Sequence, residues 1–232
     1  MKSKKILLTT ITLISLAYQT LNASELTQKE KGVNLLEKAF STKQDRSVLN
    51  FINKDKYIQH NLYAKDGITG LEGYLNYLNG KKLAYKVAIA FEDNNHVVTL
   101  SSSSQEGQIS EVIDIFRFEK GLIVEHWDNA QALKKADTLK SLKTVDLDKT
   151  SENKKLIKEM IDKEVLEGKY LKNHKILGQG NFVLAINEIK KDDKRISLYE
   201  LFNIKNSKII NTWKIEEVIP AISQWQNANG KF

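Results

Sequence analysis

The chain has 232 residues, a formal charge of +7, 41% apolar residues, one proline and no cysteine. That apolar content excludes a disordered chain, and the lack of cysteine excludes disulfides and thiol chemistry. Its lysines are mixed with Glu and Asp, with no basic cluster interleaved with aromatics, which excludes a nucleic-acid surface.

Residues 1–23 read as a signal peptide. Lys2, Lys4 and Lys5 make a basic start, Ile6 to Tyr18 is an apolar run, and Leu21-Asn22-Ala23 precedes a cleavage point at Ser24. The run is shorter than the ~20 residues of a membrane span, so no stable span is expected after cleavage. Its removal takes three lysines and no acids, which lowers the charge from +7 to +4. Export without disulfides points to a bacterial periplasm or to secretion.

Thr27-Gln-Lys-Glu30 is a capping box, followed by Val33, Leu36, Ala39 and Phe40 at helical spacing. A second short helix is expected over Arg46 to Asn53. Tyr57-Ile-Gln-His60-Asn61 is an irregular connection, and Thr69-Gly-Leu-Glu72 opens a third helix through about Leu78. Four strands follow, over 83–91, 96–104, 111–118 and 122–128. Helices first and an antiparallel meander after them is an α+β plan, with helices covering one sheet face. The domain reading is a pocketed unit over 24–133, a lysine- and aspartate-rich linker over 134–150, and a trimmed, degenerate unit over 151–232.

The hairpin from Val112 to Asp128 carries the chemistry. A three-residue loop with Gly121 in the left-handed position pairs Phe118 with Leu122. Val112, Asp114, Phe116, Phe118, Val124, His126 and Asp128 then share one face, with Asp114 opposite His126. A two-residue loop would set Trp127 opposite Asp114 instead. A carboxylate and an imidazole on an apolar face are either a pocket site or a buried hydrogen bond tying two strands. Desolvation raises the Asp114 pKa and a protonated His126 lowers it, so the pair is either a neutral acid donor or an imidazolium–carboxylate couple. His60 is either a solvent-facing histidine or a substrate-orienting group at the pocket mouth, and Tyr57 is core packing or a donor. His96 and His174 are expected to be exposed. His60, His126 and Asp114 have the ligand types for a metal, but no short-spaced motif supports one, and nothing suggests a cofactor.

The second half repeats the first at an offset of 86 residues. Trp213 falls on Trp127, Glu200 on Asp114, Phe202 on Phe116, and Asn181-Phe-Val183 on Asn95-His-Val97. One helix, Ser151 to about Glu167, precedes it. Thr212 stands at the place of His126 and Lys214 at that of Asp128, so this copy reads as structural or degenerate. Both tryptophans fall on the face away from the pocket. The two units are therefore expected back to back in one chain as an internal pseudo-dimer, with a homodimer as the alternative.

Tyr57-Ile-Gln-His-Asn61, Asp66-Gly-Ile-Thr-Gly-Leu-Glu-Gly73 and Val112 to Gln131 resemble the SnoaL-like polyketide cyclases of the nuclear-transport-factor-2-like superfamily. The resemblance covers about residues 30–132, more weakly 152–232, including the ending Ile219-Pro220…Trp225…Asn229-Gly-Lys-Phe232. It implies two tandem cones, each a curved antiparallel sheet on N-terminal helices, with a pocket in the mouth. Val112 to Phe118 is also similar to the ketosteroid isomerase strand whose Asp, kept neutral by an apolar site, donates an oxyanion-hole hydrogen bond. In the cyclases the Asp matching Asp114 is the acid/base, with a histidine some fourteen residues earlier; that position here is Leu100.

Three functions follow as expectations. One is an exported enzyme doing aldol, cyclase or isomerase chemistry on a small carbonyl compound with Asp114 and His126. The others are a binding protein for a small apolar ligand and a protein-interaction module of the cell envelope.

Overall fold

A computed structural model describes residues 26–133 and 139–232. The expected signal segment and its cleavage point lie outside them, as does part of the expected linker.

The capping box forms as read: Thr27 Oγ1 accepts from Glu30 N at 3.2 Å, and Glu30 Oε2 accepts from Thr27 N at 2.8 Å. Helix α1 (Gln28–Asn34) runs on into a π-helical turn, Leu35–Ala39. The absence of a side chain at Gly32 lets α1 lie close on the sheet, where a Cβ would come within 3.3 Å of Phe116 and Val97. A 3-10 turn, Arg46–Phe51, is capped by Asp45. Helix α2 (Gly67–Leu78) starts earlier than the Thr69–Glu72 spacing suggests, with Asp66 at its N-cap.

The first sheet has the order β1-β5-β4-β3-β2, from β1 (Ile58–Gln59), β2 (Leu83–Asp93), β3 (His96–Gln105), β4 (Gln108–Glu119) and β5 (Leu122–Ala132). Only β1 is parallel to its neighbour. A 3-10 turn, Leu147–Lys149, leads into α3 (Thr150–Leu166). The second sheet is β6-β7-β8-β9 in chain order, from β6 (Lys172–Gln179), β7 (Phe182–Lys191), β8 (Lys194–Lys205) and β9 (Lys208–Val218). Each unit is thus a curved antiparallel sheet packed on helix, an α+β plan.

Three cores stack through the molecule. Helical Leu35, Leu36, Ala39 and Val48 pack on Val97, Phe116, Phe118 and Ile123 from one face of the first sheet. The other face gives Phe91, Leu100, Ile113, Ile115 and Trp127 to a core shared with Phe182, Leu184, Tyr199, Leu201 and Ile215 of the second sheet. Beyond that sheet, α3 sets Ile157 and Ile161 on Val183, Ala185, Phe202 and Ile204. Helix, sheet, sheet and helix form four layers, so each sheet buries both faces. The stretch ahead of α3 is also held down. Leu139 and Leu142 pack on the shared core, and Leu142 N donates to Ala88 O at 2.8 Å.

The hairpin loop differs from the expected one. It has two residues, Lys120 (φ 49°) and Gly121 (φ 76°), a left-handed pair matched to the twist of the strands. A β-bulge then shifts the register: Arg117 faces Glu125 while Phe118 faces Ile123, leaving Val124 as the extra residue. Asp114 is consequently opposite Asp128, and Phe116 is opposite His126. The bulge offsets the shorter loop and returns His126 and Asp128 to the face of Asp114. The second unit repeats both devices 86 residues on, with Asn206 and Ser207 at positive φ and the shift between Asn203 and Ile204.

Candidate functional site

Between α2 and the helical face of the first sheet lies a cavity of about 270 Å³. Leu35, Leu36, Phe40, Leu71, Tyr74 and Leu78 line it from the helices, while Val112, Asp114, Phe116, His126 and Asp128 line it from β4 and β5. Exposed Lys65 and Tyr74 stand at its rim. A small apolar space with a few convergent polar groups is the usual form of a ligand site.

The Asp114 carboxylate is almost wholly engaged by protein. Oδ1 lies 3.1 Å from His126 Nε2, and Oδ2 accepts from the Tyr85 hydroxyl at 2.6 Å and from Thr99 Oγ1 at 3.4 Å. Tyr85 sits on β2, two strands away, and reaches across the concave face. The other nitrogen of His126, Nδ1, meets the Gln59 side-chain amide, 3.2 Å from Oε1. The Phe116 ring stacks on the imidazole at 4.9 Å between centroids. Burial pushes His126 toward its neutral form. The hydrogen bond to Asp114 and the charges of Asp128 and Asp114 outweigh burial and the opposing Lys231, so the imidazole pKa is raised.

Two further groups complete the site. Asp128 Oδ2 accepts from Asn61 Nδ2 at 2.9 Å, while its Oδ1 is buried without a partner among the described residues. An unsatisfied buried carboxylate oxygen is uncommon and costly, and here it belongs to a residue that lines the cavity. Tyr57 packs in the helical core and also lines the cavity, as either sequence reading of it allows. Burial and the nearby charges of Asp128, Asp114 and Asp66 raise its phenol pKa, which keeps it a neutral donor. Sequence reasoning gave Asp128 no role and missed Tyr85. The one available signal for Asp128 was its alternation with His126 along β5; nothing local marked Tyr85.

Several expected wall residues are elsewhere. Phe118 packs in the helical core and Val124 is the buried bulge residue, so neither lines the cavity. His60 is buried on the far face of the sheet. It stacks on Trp127 at 4.6 Å and contacts Glu125 Oε1 and the Gly230 carbonyl, each at 2.8 Å. The short parallel pairing of β1 with β5 turns the His60 ring outward, so His60, His126 and Asp114 do not converge. Leu100 also faces the shared core; the β3 residue opposite Asp114 is Thr99. His96 and His174 are partly buried rather than exposed, against Trp127 and on Phe232 respectively.

The second unit preserves the frame and fills it. Glu200 is buried, accepts from Tyr170 Oη at 2.8 Å and Asn187 Nδ2 at 3.0 Å, and pairs with Lys214 Nζ at 2.7 Å. Phe202 is packed under α3.

No protein-family profile matches the chain, and no curated protein matches it. Solved structures do. IdmH of Streptomyces antibioticus, a candidate polyketide cyclase, is 16% identical over 46% of this chain and 93% of its own, with a TM-score of 0.39. A nuclear-transport-factor-2-like protein of Cytophaga hutchinsonii is 18% identical over 46% and 92%, with a TM-score of 0.38. A protein of Catenulispora acidiphila with a ketosteroid isomerase-like fold, solved with trimethylamine, is 13% identical over 49% and 91%, with a TM-score of 0.37. In fold, the chain is similar to these proteins. Each likeness spans about half of this chain.

Proposed function

We propose that the first unit takes a small, mainly apolar carbonyl compound into its cavity and performs acid/base chemistry of the aldol, cyclase or isomerase kind. Asp114 and His126 form the acid/base pair of this site. Asp128 supplies the remaining acceptor for a proton from the carbon beside the carbonyl, and the Tyr57 hydroxyl donates to the developing enolate oxygen. One positioned acid or base contributes roughly 10²–10⁴-fold to such a step. The observation that carries this reading is a buried carboxylate–imidazole pair at 3.1 Å on the wall of an apolar cavity. In this reading the protein works in the periplasm or outside the cell, exported by residues 1–23. Pairing of its two sheets takes the role of dimerisation.

A second reading, binding without chemistry, is favoured by one observation. Both Asp114 oxygens and both His126 nitrogens already have protein partners. The two readings separate once a ligand retained from the native source has been identified by mass spectrometry. Asp114→Asn is then expected to cut turnover of that compound at least about 100-fold with little change in affinity. Absence of turnover in the unaltered protein, with affinity changed by the variant, supports binding alone.

A further inference from the structure

The segment after β9 follows the second unit in the chain, but from Gln226 onward most of its polar contacts are with the first. Gln226 N donates to Leu62 O at 2.8 Å. Asn227 Nδ2 donates to the carbonyls of Asn61 and Ala64, at 2.8 and 2.9 Å. Asn229 Nδ2 donates to the Gln59 carbonyl at 3.0 Å and to Asp66 Oδ1 at 2.7 Å. Lys231 is buried, and its ammonium donates to the Asp128 carbonyl at 2.9 Å and to Glu217 Oε1 at 2.8 Å.

These contacts fall on one stretch of cavity wall. Gln59 holds His126 Nδ1, Asn61 holds Asp128 Oδ2, and Ala64 and Lys65 complete the wall. That stretch pairs with the sheet over only the two-residue strand β1, and is otherwise joined to β5 through the side chains of Gln59, His60 and Asn61. Ordering the rest of an irregular segment costs backbone entropy, so contacts from outside it help to hold its alignment. The tail supplies such contacts, from a unit whose own carboxylate site is filled by Lys214.

We propose that Asn229 and Lys231 are positioning residues for the first unit's cavity, and that the second unit completes this site through its tail. Asn229 clamps the wall at Gln59 and Asp66, which sets the Gln59 amide on His126. Lys231 fixes the β5 backbone at Asp128 and brings a cation near the imidazole.

The test uses the full chain and needs no ligand. The titratable groups around His126 are Asp114, Asp128 and Lys231, with the phenols of Tyr57 and Tyr85 beyond them. Following the His126 ring by NMR across pH, Lys231→Met, paired with Glu217→Gln to avoid a stranded acid, is expected to move the titration midpoint upward by about half a pH unit or more. Asn229→Ala is expected to speed amide hydrogen exchange over Gln59–Asp66 by roughly tenfold or more, leaving β7 and β8 unchanged. If both variants only lower the melting temperature, with midpoint and exchange at their original values, the tail is mere attachment and the proposal fails. Should the Lys231→Met pair not fold, Lys231→Arg, which keeps the charge but moves it, decides by the same midpoint.

Discussion

Asp114 and Glu200 occupy equivalent places in two copies of one frame, yet only the first opens onto the cavity described above. Both are buried, both accept from a tyrosine, on β2 in the first unit and just ahead of β6 in the second, and both stand where the same bulge sets the register. The difference lies on the neighbouring strand. His126 and Asp128 in the first unit become Thr212 and Lys214 in the second, and Lys214 closes an ion pair on Glu200. A buried carboxylate needs a compensating partner. A flexible ammonium meets that need by filling the site, whereas an imidazole held by Gln59 meets it from the wall.

The largest expected effect tests the seam the units share. Trp127→Ala removes a buried ring in contact with His60 and Lys175, and is expected to cost about 3–5 kcal/mol in denaturant melts. The equivalent Trp213→Ala, at a half-buried position, is expected to cost about 1–2 kcal/mol. Equal losses would mean that the two sides of the seam are not distinct.

Next comes the closing ion pair. Lys214→Met strands one oxygen of Glu200 and is expected to cost about 1–3 kcal/mol, restrained by the remaining tyrosine and asparagine bonds and by the exposure of Lys214. Transplanting the closure is the sharper version. Asp128→Lys replaces a carboxylate that favours imidazolium with a cation that opposes it, so the His126 midpoint should fall by about one pH unit or more in NMR titration. An unmoved midpoint would show that the residue facing Asp114 does not govern the site.

Smaller effects lie in the pH dependence of stability. The folded His126 pKa is raised, so its contribution is fully present below about 6.5 and is lost as pH rises through the folded value. His126→Gln should flatten that arm of a melting-temperature profile. His96 behaves oppositely: burial, with Lys175 and Arg117 nearby, lowers it to about 4. Its contribution is present above about 6.5 and is lost as pH falls toward 4, which His96→Asn should soften.

The features legible in the sequence were local and periodic. Alternation put Asp114, Phe116, His126 and Asp128 on one face, the Thr27–Glu30 spacing marked the first helix, and the repeated pattern exposed the second unit. What escaped depends on twist or on distant contact. Loop length and bulge are jointly chosen by strand geometry, so Val124 and Phe118 were placed in the wrong surroundings although the face itself was right. His60 turns outward because two residues pair with β5, which no composition signals. Tyr85 looks like any strand aromatic until the curved sheet brings its hydroxyl to Asp114.

The seam between the sheets carries one more consequence. Phe91 stacks near Phe182, and Asn129 donates to the carbonyls of Ser197 and Ile215, so the greasy side of each half is completed by the other. The two halves, produced as separate chains divided between Leu133 and Leu139, should therefore co-elute and melt together, in the manner of a split reporter. Either fragment made alone would present its tryptophan face to water and precipitate.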